Sequence, residues 1–553
     1  MISHKKIFAS LISVLFLFSL PAQEWVEEDP VEDVWGGEII DLDSDEETVS
    51  EVNQDAEKYV LTIIEASQEH DLNPHTSVYA SDAQILYSIY EGLFSYDPKT
   101  LEPLPAICAS YKISRDKKRW TFTLRENACF SDGSQITADD VRNSWLELLS
   151  TPNASYSSML DVIVGAKDYR LGKSPAEDVE ITAVSPTVLS IRLNAPVSYL
   201  PKVLCHSSFA VTHRNPTVYS GSYAIADIKE GEIILQKNDF YWDAASVQIK
   251  MVCFFQSLGS EENAYMYNNG FADWISAYDV NSTKIINKSS IQLGAQFGTE
   301  FLFFKTSAAK PKNAKTSKVW DIPDFRQAVL EAMPWEKLRT GSLVPATTLV
   351  YPLSEYPEVE GYSYTDENEA VLLMNDAREK AGISKTKRIP LVMQLSENAF
   401  NEEQVEAMKN ALDPLGVDLK INFIPMAKYL ETVATCDADI VSYNWIGDFA
   451  DPLAFLELFR GDSTLNVSGW KNDEFDSLIE KSSGISGKER YELLAQAETI
   501  LLNDGIILPV AHSVSLSIIN KNAVGGWYDN AFNIHPLKYI YKKDYAPKIP
   551  NVI

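Results

Sequence analysis

Asp448 sits in the run "NWIGDFADPLAFLELF" (Asn444–Phe459), flanked by Trp445, Ile446, Gly447 and Phe449. A carboxylate in such apolar surroundings is costly to bury unless a cation or a set of N–H donors meets it. Either another part of the chain satisfies it or a ligand does. Asp451, three residues on, makes an acid pair that glycoside chemistry could use. Nothing else in the chain supports that chemistry, and Pro452 interrupts the local helix. The seven histidines, His4, His70, His75, His206, His213, His512 and His535, form no H-E-x-x-H. There is no G-x-S-x-G, no P-loop and no G-x-G-x-x-G after a strand. His70 and His75 with Asp71 read as surface-loop residues rather than metal ligands. The five cysteines, Cys108, Cys129, Cys205, Cys253 and Cys436, match no metal spacing. Cys108 and Cys129 could bridge, but no other feature supports that pairing. The residues therefore argue against an enzyme, and no cofactor or metal site is expected.

These residues need elements to carry them. "ADIVSYNW" reads as a strand that delivers the chain to Asp448, and "DLKINFIPM" and "IPLVMQLS" are strands before it. "EEQVEAMKNALDPLGV", "ENEAVLLMNDAREKAGI", "DFRQAVLEAM" and "GKERYELLAQAETILLNDG" are amphipathic helices between or beside them. The late strands "IILPVAHS" and "VSLSIIN" follow. This alternation in the second half implies an α/β unit. Earlier, "AEKYVLTIIEAS" is a buried strand and "AQILYSIYEGLFSYD" a helix ending near Gly92. "RWTFTLREN" alternates, with Trp120, Phe122 and Leu124 on one face. Thr137 and Asp140 make a capping-box-like helix start before Val141, Trp145, Leu148 and Leu149. "VEITAVSPTVLSIRLNAP" is a pair of short strands, and Glu230–Gly231 turns a hairpin. No internal repeat is visible.

A chain of 553 residues is too long for one core, so two or three domains are expected. Lys5 and Lys6, the apolar run Ile7–Leu20 and the exit at Pro21 and Ala22 read as a secretory signal over 1–22. No Cys follows at the cleavage point to carry a lipid anchor, so a soluble periplasmic protein is expected. The net charge is -30, and the segment 23–57 holds fifteen acids and no Lys or Arg. That segment reads as a disordered acidic spacer. Its "DLDSDEE" lacks calcium-loop chemistry, because Glu46 stands where the turn needs Gly. So acidic a chain is a poor partner for nucleic acid or for an anionic membrane.

The order and spacing of the pieces resemble the oligopeptide- and dipeptide-binding family of periplasmic ABC-transporter solute receptors, from about Ala56 to about Tyr541. "DLNPHT" is similar to the family's Leu-Asp-Pro-His start, with Asn73 in place of Asp. "WTFTLRENACFSDGSQITADDVRNSW" resembles its most recognisable block, and "SGSYAI" stands for Gly-Pro-Tyr with Ser222 for Pro. "YEGLFSYDPKTLEPLPAICASY", "LQKNDFYWD", "FRQAVLEAM" and "FDSLIEKSSGISGKERYELLAQAETILL" also have counterparts.

The resemblance implies an α/β, two-lobed periplasmic binding protein of the large three-domain type, with a hinge and an interlobe cleft. Lobe I would comprise 58–90, 206–300 and 514–553. A small domain II would be inserted at 91–205, and lobe III would be 301–513. By resemblance, Asp448 in "WIGDF" receives a peptide's α-ammonium. Asn444, Trp445, Gly447, Phe449, Tyr156, Met426, His512 and Ala80 would line the cleft. Met426 stands where a pocket tryptophan is frequent. The arginines that hold a ligand carboxylate in some relatives are replaced by Val433 and Ser442, which favours longer peptides or a blocked C-terminus. "VSYNW" and "NASYSSML" are the expected peptide-facing edges. The implied role is a monomer that delivers peptide to an inner-membrane ABC permease. The alternatives left open are a non-peptide solute (a nickel complex, haem or an oligosaccharide) and a sensory or adhesion receptor.

Overall fold

The computed structural model describes residues 58–276, 279–312, 318–397 and 399–544. The signal-like start and the acidic segment lie outside these residues. Ten strands form one mixed sheet. At its centre two long strands, Ile291–Phe304 and Ile507–Ile519, run antiparallel along each other. One flank adds Ile440–Ile446, Ile389–Ser396 and Val417–Ile424 in that order. The other adds Trp274–Ile275, Val60–Glu65, Met251–Gln256, Glu232–Lys237 and Tyr223–Lys229. The two central strands therefore belong to both flanks. Their register breaks midway, between Ala295↔Val514 and Thr299↔His512. An extra stretch of backbone there bends the sheet, as bulges do.

A separate four-stranded antiparallel sheet orders Cys108–Ile113, Arg119–Leu124, Val188–Arg192 and Ile181–Ser185. Alternation decides its inner face: Trp120, Phe122 and Leu124 are all buried, each stabilising by about 1.5–3 kcal/mol relative to exposure. The helix Ala138–Ser150 covers that face with Val141, Trp145, Leu148 and Leu149. Its start is a full capping box between Thr137 and Asp140. One apolar cluster joins this small domain to the Ile440–Ile446 flank, and a second fills the other flank around Leu61, Ile63, Tyr223 and Trp274.

Three expectations change. "IILPVAHS" and "VSLSIIN" are not two strands but one, Ile507–Ile519, which runs on through their junction although its pairing with Ile291–Phe304 slips register there. "NASYSSML" is not an edge strand: Ser157–Val162 is a 3-10 helix entered through a turn at Tyr156. The first long helix spans Ala80–Ile89 and ends at Tyr90, short of Gly92. A Cβ at Gly92 would lie 3.2 Å from the Leu204 carbonyl oxygen, so glycine there permits close packing rather than a helix stop. All five cysteines are free thiols.

Candidate functional site between the lobes

The strand Ile440–Ile446 is bonded to Ile291–Phe304 from Gly298↔Ile446 to Phe304↔Ile440. On its other side it pairs with Ile389–Ser396 only at Ile440 and Val441. From Tyr443 onward that side has no strand partner among the described residues. The chain then turns at Gly447, whose N–H donates to the Phe297 carbonyl at 2.7 Å. A Cβ at Gly447 would sit 2.5 Å from the Phe297 ring, so only glycine fits this turn. Asp448 follows, aimed at the small domain.

The small domain supplies its hydroxyl partners, and His206, just past that domain's expected end, adds a ring. Tyr156 donates its hydroxyl to Asp448 Oδ1 at 2.9 Å. Tyr96 donates to the Asp448 backbone carbonyl. His206 Nε2 lies 3.7 Å from Oδ1, and its ring packs on Tyr156 with centroids 4.2 Å apart. The Ser208 N–H donates to His206 Nδ1 at 3.3 Å, which leaves Nε2 as the protonated nitrogen of a neutral ring. Burial pushes the His206 imidazole down to about 3, so it brings no positive charge. Burial also pushes the Asp448 carboxyl up to about 7, against the pull of the Tyr156 hydroxyl and its own backbone N–H. Burial and the neighbouring Asp448 hold the Tyr156 hydroxyl far above its ordinary range, so it remains a donor. Among the described residues no Lys or Arg pairs with Asp448. The guanidinium nearby is taken: Arg490 Nη1 reaches both oxygens of Asp451, at 2.7 and 2.6 Å. Asp451 also accepts from the Leu453 N–H at 3.0 Å. It is therefore a clamp on the turn and not half of a catalytic pair.

Beside Asp448 lies a narrow hollow of about 10 Å3 walled by Tyr156, Met159, Val203, His206, Phe209, Phe449, Ala454, Glu457 and Leu465. The cleft is shut around it. Lys202 Nζ donates to the Ala450 carbonyl at 3.0 Å, Thr464 Oγ1 to the Ser155 carbonyl at 2.6 Å, and the Ser198 N–H to the Ser483 carbonyl at 2.9 Å. Lys167 pairs with Asp462 across the same boundary.

The other expected residues take varied places. Phe449 walls the hollow and stacks on Tyr199 at 6.5 Å. Trp445 is buried beneath the turn, stacked on Tyr443 at 5.8 Å, with its ring N–H donated to the Ala454 carbonyl at 2.9 Å. Asn444 is exposed and accepts from Ser513 Oγ at 3.0 Å. His512 lies within the register break, 3.0 Å from Thr299 Oγ1 and edge-on to Tyr351, and burial pushes it down to about 4. Ala80 opens the helix Ala80–Ile89 and is exposed. Met426 opens the helix Met426–Val433, and its side chain lies outside the described residues. Val433 and Ser442 both face the lobe core: Val433 is buried, and Ser442 Oγ bonds the Tyr429 hydroxyl at 2.8 Å. His206, Tyr96 and Glu457 were not anticipated. Nothing in "LCHSSF" marks its histidine; His206 and Tyr96 reach the site through tertiary contact, and Glu457 through the short helical turn that follows Asp448.

A family model described as "Bacterial extracellular solute-binding proteins, family 5 Middle" matches residues 102–466. The dipeptide-binding protein DppE of Bacillus subtilis (strain 168) is 26% identical over 481 residues, 83% of this chain and 86% of that protein. The solved Escherichia coli murein tripeptide binding protein MppA superposes with a TM-score of 0.75 at 22% identity, covering 88% of this chain and 99% of that one. The Haemophilus influenzae OppA complex with RPPGFSPFR gives 0.75 at 20% identity, with the same coverage. The two-lobed fold is therefore shared almost end to end. Among the described residues no helix is long and apolar enough to cross a membrane. A shared fold does not by itself assign function, but the family model spans most of the chain and both lobes contribute to it. The protein belongs to the family 5 bacterial extracellular solute-binding proteins, receptors that hold a solute and catalyse no reaction.

Proposed function

We propose that the solute is a peptide, held by its free N-terminus at Asp448 and passed to an inner-membrane ABC permease. The carrying observation is the electrostatic state of Asp448. It is a carboxylate in a shut cleft, with one hydroxyl donor, a neutral imidazole and no cation. An α-ammonium carries both the charge and the several N–H donors that this site lacks, and a charge-assisted bond of about 2.8 Å in a dry cleft is strong. The unpaired side of Tyr443–Ile446 supports an extended main chain added like a strand, which is indifferent to side chains. Dipeptide and nonapeptide ligands named for the relatives favour the same class. Val433 and Ser442 bring no cation for a ligand carboxylate, and the ammonium beside Val433, that of Lys305, is taken up by the Val433, Ala434 and Cys436 carbonyls, which suits longer peptides. Trp445, Gly447 and Phe449 act as the wall and turn of this site, with Asn444, Met426, His512 and Ala80 at its margins.

The register break near Ala295 and Val514 supports hinge-side limits close to 300 and 513. The lobes would then be 58–90 with 206–300 and 514–553, an inserted domain 91–205, and 301–513. The protein would work as a periplasmic monomer after removal of residues 1–22. Calorimetry with a C-amidated alanine pentapeptide, its N-acetylated form and the Asp448→Asn variant tests the reading. Binding of the free peptide alone, reduced at least about 30-fold in the variant, is expected. Equal binding of the acetylated peptide overturns it.

A further inference from the structure

We propose that Glu457 makes the hollow beside Asp448 a subsite for a basic first side chain, so that the receptor prefers peptides beginning with lysine, ornithine or arginine. This rests on the peptide reading above. Pro452 starts the short helix Leu453–Leu456, and the 3-10 turn Glu457–Phe459 continues it. That turn carries Glu457 back to the wall of the hollow that Asp448 faces. Glu457 is 1% exposed, and the Ser463 hydroxyl and Arg460 pull on its carboxylate without a close hydrogen bond to either oxygen. Arg460 Nη1 approaches Oε2 to 3.3 Å, but Arg460 is shared: its Nε donates to Asp462 at 2.9 Å. Glu457 is thus a buried acid with incomplete compensation, and burial pushes its carboxyl above the ordinary range.

The remaining walls, Met159, Val203, Phe209 and Leu465, suit the aliphatic stem of a long side chain. An acidic first residue would meet a second buried carboxylate and be repelled. A neutral one would leave Glu457 as it is. With the cleft walls parted, a lysine stem would run along the apolar wall and set its ammonium against Glu457 while its α-ammonium meets Asp448. Two carboxylates on one small hollow thus match two cationic groups on one residue.

Calorimetry with C-amidated pentapeptides of alanine that begin with lysine, norleucine or glutamate, on the wild type and on Glu457→Gln, tests this. Norleucine keeps the stem and removes the charge. The expected result is about tenfold or greater preference for lysine over norleucine in the wild type. The variant should lose that preference, its affinities for the lysine and norleucine peptides becoming equal. Wild-type binding without discrimination overturns the inference alone, as does an equal loss for both peptides in the variant, which would make Glu457 only a partner of Arg460. The wild-type comparison stands even where the variant folds poorly. Failure of all three peptides to bind overturns the peptide reading, and the inference with it.

Discussion

A carboxyl group held near pH 7 by burial makes the receptor's behaviour depend on proton concentration. The unfolded chain loses the Asp448 proton around pH 4, whereas the folded, empty chain keeps it until about 7. The folded form therefore binds the extra proton throughout that window, and stability falls as pH rises through it. Glu498, also pushed up to about 7 by burial, titrates in parallel, so the difference between wild type and Asp448→Asn isolates the site. Melting temperatures of the two should converge in acid and separate toward pH 7.5, with the variant the more stable. Peptide binding should run the other way. Binding an ammonium requires the ionised carboxylate, so affinity should strengthen about tenfold per pH unit from 5.5 to 7. It should weaken again above about 8 as the peptide amine deprotonates. Calorimetry in buffers of different ionisation enthalpy would detect the released proton, and Asp448→Asn would abolish the slope. Tyr156→Phe removes one hydrogen bond to the carboxylate and should cost about 0.5–1.5 kcal/mol of peptide affinity. Of these residues, Asp448 was legible because an acid among Trp445, Gly447 and Phe449 has to be explained. Glu457 was not legible, since its "FLELF" surroundings also read as an ordinary amphipathic helix.

Two central strands and one helix hold the site in position. The turn carrying Asp448 is clamped from behind by Arg490 of the helix Lys488–Asn503, which binds Asp451 and lies over the Tyr199 ring at 4.7 Å. Arg490→Ala leaves Asp451 buried without its cation and should cost about 3–5 kcal/mol of folding stability, measurable by urea unfolding. Gly447→Ala forces a methyl group into the Phe297 ring at the register break and should destabilise by about 1–3 kcal/mol. It should also weaken peptide binding by displacing the next residue. Alternation and capping made most strands and helices readable, as Arg119–Leu124 and the Thr137 capping box show. The register break was not readable. "ILPVAHSVSLSII" is an unbroken run with every second residue able to face a core, and only its pairing with Ile291–Phe304 shows where the ladder slips. "NASYSSML" misled for a related reason: its aromatic and apolar residues suit an edge strand, but Tyr156 adopts a turn that aims its hydroxyl across the cleft.

At the scale of the whole molecule, the lobes meet through contacts that also define the site. Tyr156 and Tyr96 hold Asp448 from the small domain, and Lys202, Thr464 and Ser198 close the boundary around it. A ligand that completes Asp448 therefore also stabilises the shut form. Small-angle scattering should show the radius of gyration falling when peptide is added to wild type and staying unchanged for Asp448→Asn. Removing residues 23–57 should leave peptide affinity within about twofold, the outcome expected if their acidic composition marks a spacer. The sequence by itself determined the local features: which segments alternate as strands, which cap as helices, and that one acid required a partner from elsewhere. Only the tertiary structure decided that the partner inside the protein is a hydroxyl and a neutral imidazole rather than a guanidinium. The Tyr156 and Tyr96 bonds to Asp448 span 292 and 352 residues of chain. Contacts of that separation follow from how the central strands cross between lobes, and no periodicity or spacing along the chain encodes them one residue at a time.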